Sequence, residues 1–209
     1  MHACSGWLGR FARLALGVAL LAQPAYATDL RSVLTEYTLA SWNEKDGLPD
    51  SSIYVLEQDA DGYMWVGTEE GAYRFDGVRF TPWSTLSRSS VQARAVRALR
   101  AAADGSMWIG FGGQGGVDLF KNGLVRSYGT ADGLPPATVS MLLEHPAGTF
   151  WAGTPMGLYR LRGERWERMG TGQGVPEGPV VIGIVSSQTR LLVGAGRSLL
   201  QFDEQTQRF

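Results

Sequence analysis

A tryptophan followed two residues later by a glycine returns along this chain at a fixed step. Trp65 and Gly67, Trp108 and Gly110, and Trp151 and Gly153 stand 43 residues apart. Each pair follows a turn: Asp59-Ala60-Asp61-Gly62, Ala103-Asp104-Gly105 and Pro146-Ala147-Gly148. A degenerate fourth copy, Arg190-Leu191-Leu192-Val193-Gly194, places its glycine 41 residues after Gly153. A period in the low forties with β-branched and aromatic runs is the signature of propeller blades. The expected fold is all-β, with four four-stranded antiparallel blades at about 51–83, 94–128, 137–169 and 179–209.

The constants of the repeat have a physical reading. A four-stranded blade is apolar on both faces and must stack on a neighbour. A tryptophan on the second strand fills the wedge between blades, burying on the order of 200 Å². The glycine two residues on removes a side chain where backbones approach. Asp-Gly at 61–62 is a strong hairpin signal, and Asp46-Gly47-Leu48-Pro49 and Asp132-Gly133-Leu134-Pro135 mark turns between blades, with Gly174-Val175-Pro176 a decayed third.

One further strand, 37–42, resembles an outer strand, although each blade already has one. An incomplete, open propeller over 28–209 accounts for it, with bare apolar faces at both ends and poor stability in isolation. The alternative is a closed four-bladed ring in which 37–42 pairs with Gln207 to Phe209.

The first 27 residues read as a signal peptide. Arg10 and Arg13 precede an apolar run from Leu14 to Ala22, and Ala25-Tyr26-Ala27 offers a small-x-small cleavage site. The mature chain is expected in the periplasm without cysteine, since Cys4 leaves with the peptide. Nineteen basic against twenty acidic residues give no electrostatic footprint for nucleic acid.

The stretches Trp42-(x)3-Asp46-Gly47-Leu48-Pro49, Gln58-Asp59-(x)-Asp61-Gly62-(x)2-Trp65-Val66-Gly67-Thr68 and Gly71-Ala72-Tyr73-Arg74-Phe75-Asp76-Gly77 resemble the two-component regulator propeller repeat. A second good copy runs from Pro135 to Leu158. The resemblance implies the periplasmic sensor half of an inner-membrane receptor whose output is a histidine kinase or a diguanylate cyclase. It also implies an unknown small-molecule or oligosaccharide ligand, the remainder of the receptor chain as partner, and a possible receptor dimer. No catalytic role is expected for this segment. The competing readings are an exported propeller enzyme, a glycan hydrolase or lyase, and a protein-binding propeller.

Candidate site residues are few. Glu69 and Glu70 sit in the loop between the second and third strands of blade one, on the face where the channel opens. Paired carboxylates serve glycosidases, but adjacent loop residues rarely face each other, and solvated charges or a ligand contact fit better. Arg94, at the start of blade two, and Gln114, in the glycine-rich stretch Phe111 to Gly116, are the other ligand candidates. That stretch opens no helix and so forms no phosphate loop. Asp59-Ala60-Asp61-Gly62 lacks the later ligands of a calcium loop, so no metal and no cofactor are expected. His145 has no nucleophile beside it and reads as a surface turn residue.

Overall fold

The computed structural model describes residues 40–87, 93–185 and 190–209. The chain divides into two units, Met1–Ser41 and Trp42–Phe209. The signal peptide and residues 37–39 lie outside the described residues, and Ala40 to Trp42 are in no strand.

The second unit is built from four antiparallel sheets. Blade one holds β1 (Ile53–Gln58), β2 (Met64–Thr68), β3 (Ala72–Phe75) and β4 (Phe80–Pro82), followed by a short helix α1 (Trp83–Leu86). Blade two holds β5 (Val96–Ala101), β6 (Met107–Phe111), β7 (Val117–Lys121) and β8 (Leu124–Tyr128). Blade three holds β9 (Met141–Glu144), β10 (Phe150–Thr154), β11 (Gly157–Arg162) and β12 (Arg165–Met169). Blade four holds three strands, β13 (Val180–Val185), β14 (Leu191–Ala195) and β15 (Ser198–Gln201). Its outer position, expected as a strand at Gln207 to Phe209, is a single bridge between Asp203 and Arg208. The reason is local: Asp203 takes the backbone N–H groups of Gln205 and Thr206, folding the segment into a turn. The outer strand of blade one, Phe80–Pro82, stops short of residue 83 because Trp83 begins α1.

The repeat tryptophans face the next blade. Trp65, Trp108 and Trp151 are 2%, 3% and 0% exposed and belong to successive interblade cores. The glycines allow this approach: a Cβ on Gly67 would come within 2.7 Å of Val96, and one on Gly153 within 2.5 Å of the Val180 carbonyl. Each indole N–H is satisfied differently, by the Asp59 carboxylate (2.7 Å), the Ser106 hydroxyl (3.1 Å) and the His145 carbonyl (2.7 Å). In the fourth copy Leu192 stands at the tryptophan position and is only partly buried.

Three connections share one device. The 3-10 turns Glu44–Asp46, Thr130–Asp132 and Thr171–Gln173 each end on a glycine in the left-handed region, Gly47, Gly133 and Gly174. A side chain at the end of each turn, Asp46, Asp132 or Gln173, accepts the N–H that opens it. The glycines then lie against Phe80, Trp166 and Phe209 of the blade that follows, where a Cβ would meet the carbonyl oxygen at 2.4, 2.1 and 2.1 Å. The third turn, decayed in sequence, keeps the geometry because glutamine replaces the capping aspartate.

The propeller is open. Leu56, Leu99 and Leu142 are one repeat position facing the preceding blade; Leu99 and Leu142 are each 5% exposed, Leu56 58%. Ala72, Val117, Leu158 and Leu199 are one position facing the following blade, opposite the repeat glycine in each sheet. The first three are at most 1% exposed and Leu199 is 72%. Both ends of the arc present the apolar surface that interior blades bury.

Candidate functional site

The loop face follows from strand order: the loops joining second to third strands and those entering each first strand emerge together. In blades one and three a buried threonine closes the first kind of loop. Thr68 Oγ1 donates to the Gly71 carbonyl (3.1 Å) and accepts from Glu70 N–H, and Thr154 repeats this with Gly157 and Met156. Blade two has Phe111 at this position, which cannot cap, and its loop is longer. Gly112 N–H bonds Ala95, Gly113 N–H bonds the Thr138 hydroxyl, and Gly115 packs where a Cβ would lie 1.9 Å from the Ala137 carbonyl. The glycine-rich stretch is thus a close-packed bridge to blade three, with Gln114 exposed on it.

Arg94 lies over the Phe111 ring, 3.5 Å from its centroid. Its guanidinium also donates to the Gly115 carbonyl and to Asp118 Oδ2, both at 3.3 Å. Asp118 is 3% exposed. Burial pushes its carboxyl above the ordinary aspartate value, outweighing the hydrogen bonds and charge of Ser127 and Arg94. Arg97, three residues on, repeats the motif against blade one: it stacks on Tyr54 at 3.5 Å and pairs with Glu69 Oε2 at 3.2 Å. The Tyr54 hydroxyl donates to the same oxygen.

Of the sequence candidates, Glu69 is therefore an engaged interblade carboxylate rather than a free loop charge. Glu70 is exposed, and its charge adds to the burial that raises the Tyr73 phenol. Glu69 and Glu70 line a depression of about 520 Å³ with Tyr73, Trp83 and Ser84. Arg94 and Gln114 stand in the neighbouring loops and do not line it. Sequence reading missed Tyr54, Arg97 and Asp118. Two signals were present: Tyr54 and Arg97 occupy one repeat position 43 residues apart, and Asp118 is a carboxylate between the apolar Val117 and Leu119 of the third strand.

His145 corrects an expectation. It is 7% exposed, and its Nε2 lies 3.1 Å from Glu204 Oε1, because the last turn of blade four folds over it. Asp59 serves its hairpin, accepting from the Asp61 and Tyr63 N–H groups. Among the described residues no group of three or more His, Cys, Asp or Glu could hold a metal ion.

Residues 47–70 match the family model of the two component regulator propeller, so the first blade carries that repeat. Histidine kinase P4 of Formosa agariphila is 39% identical over 54 residues, 26% of this chain and 4% of the kinase. The extracellular domain assigned to a hybrid two component system of B. thetaiotaomicron superposes with a TM-score of 0.61 at 17% identity, over 78% of this chain and 22% of that one. Virginiamycin B lyase from Staphylococcus aureus gives 0.58 at 15% identity, over 75% and 54%. The chain spans a small part of the length of the kinase and of the extracellular domain. At these identities the two solved structures speak for the propeller fold alone.

Proposed function

We propose that this chain is a ligand-sensing propeller segment of the periplasmic input half of a membrane receptor, exported by residues 1–27 and coupled to a kinase or cyclase output. The repeat at 47–70 and the local identity to a histidine kinase support the receptor context. The ligand is a small molecule or an oligosaccharide, the rest of the receptor chain is the obligatory partner, and the receptor signals as a dimer.

The observation that carries the sensing role is the paired arginines on the loop face. Arg94 and Arg97 are each stacked on an aromatic ring and fixed by a carboxylate, Asp118 or Glu69. Cations held in this way are preorganised to meet a ligand without the entropy loss of freezing a free side chain. We assign no catalytic step to them, because both carboxylates are already engaged by arginine. The likeness to a lyase concerns the fold.

The test is a panel of acidic and neutral oligosaccharides titrated calorimetrically into the full chain. A ligand is expected whose affinity falls at least about tenfold in Arg94→Ala and Arg97→Ala, a loss of about 1.4 kcal/mol. Lys121→Ala, on the opposite face, should leave it unchanged. Binding indifferent to both loop-face variants would reject the assignment.

A further inference from the structure

The junctions between blades one and two and between blades three and four are made of the same pieces, and the chain fills only one of them. In each, an arginine on the third strand lies opposite the repeat tryptophan: Arg74 beside Trp65 and Arg160 beside Trp151. At the later junction Arg160 donates to Gln207 Oε1, and Gln207 Nε2 donates to the Glu204 carbonyl at 2.7 Å. Both residues belong to the turn between Asp203 and Arg208, whose backbones exchange N–H bonds.

Blade two has no such turn. Its third and fourth strands are joined through Asn122-Gly123 alone, with Asn122 at φ 53°. What remains beside Trp65 is a cleft of about 400 Å³, walled by Asp59, Asp61, Arg74, Phe120, Lys121 and Asn122. Within it the Arg74 guanidinium rests 4.3 Å over Tyr63. Its buried Nε has no hydrogen-bond partner, as is also true of Arg160 Nε at the filled junction, where Gln207 meets the guanidinium through Nη1. Lys121 is held by Asp104 at 2.6 Å, which draws that carboxyl, together with Ser106, down to about 2. Asp61 contributes a carboxylate at the rim.

We propose that this cleft binds a primary carboxamide, the group that ends an asparagine or glutamine side chain, presented by a short peptide. One planar amide supplies an acceptor oxygen for Arg74 and N–H donors for Asp61. Lys121 is neutralised by Asp104, and Asp59 is taken by the Trp65 indole. That leaves one cation, Arg74, and one carboxylate, Asp61, to meet a ligand, which favours a neutral polar group over a lone carboxylate or amine. Gln207 on Arg160 is the chain's own example of this recognition. The site lies on the opposite face from the paired arginines and stands or falls independently of them.

The probe is the acetylated, amidated peptide Glu-Gln-Thr-Gln-Arg, a copy of residues 204–208, titrated into the full 209-residue chain and followed by amide NMR. Saturable shifts at residues 59–63 and 120–123 are expected, with affinity about tenfold lower in Arg74→Leu and unchanged in Arg160→Leu. Blade two already carries Leu119 opposite its tryptophan, so the fold accepts leucine there. Replacing the second glutamine of the peptide by glutamate should also weaken binding. Absence of shifts at about 10 mM peptide, roughly ten thousand times a micromolar dissociation constant, would overturn the proposal. So would equal affinity in Arg74→Leu. Should Arg74→Leu melt early, Asp61→Asn decides in its place: unchanged affinity overturns the proposal, weakened affinity supports it.

Discussion

Replacing Trp151 by alanine is expected to destabilise the chain by about 3–5 kcal/mol, the upper range for one core side chain. Its indole is fully buried, meets Phe202 edge-on at 4.9 Å and Phe209 at 5.7 Å, and donates to the His145 carbonyl. Removing it opens a sealed cavity between blades three and four and leaves that carbonyl without its donor. Trp65→Ala should cost less, although the two positions are equivalent in the repeat, because Trp65 borders the cleft beside Arg74 and water can enter the space. Urea unfolding of the three proteins checks this. Equal losses would mean that water does not relieve the cavity at Trp65, and a Trp151→Ala cost below about 1.5 kcal/mol would mean that the wedges are not the main interblade contact.

The second large effect is expected at Gly133. Its φ of 96° already disfavours a side chain, and a Cβ would lie 2.1 Å from the Trp166 carbonyl oxygen. Alanine there must push the Thr130–Asp132 turn off blade three, with a loss of about 3 kcal/mol. Gly148 separates the two contributions: its φ is 80°, and nothing lies within 4 Å of where a Cβ would go. Gly148→Ala should therefore cost only the backbone strain, about 1 kcal/mol. If the two variants lose the same stability by thermal or urea unfolding, the turns do not seat the blades.

Much of the fold is legible in sequence because the repeat writes it several times. Trp65, Trp108 and Trp151 with their glycines locate the second strands, and the hairpins follow from Asp-Gly and its relatives. What escaped is what no repeat copy can announce. His145 is buried by Glu204, a contact across 59 residues. The pairing of Glu69 with Arg97 also joins neighbouring blades, so neither loop shows it alone. The third interblade turn lost Asp-Gly-Leu-Pro but kept its shape, since Gln173 reaches the same backbone N–H as Asp132. The outer edge of blade four departs from a strand for a local reason, the Asp203 turn, which a period count does not see.

Hydroxyl-radical footprinting of the full chain, read by mass spectrometry, tests the open arc most directly. Leu56, Leu99 and Leu142 share one repeat position, and Leu158 and Leu199 share another. In an open arc Leu56 and Leu199 oxidise rapidly while Leu99, Leu142 and Leu158 stay protected, as their exposures of 58% and 72% against 5%, 5% and 0% require. Protection of both Leu56 and Leu199 to the level of their buried counterparts would contradict the open propeller and point to a closed ring.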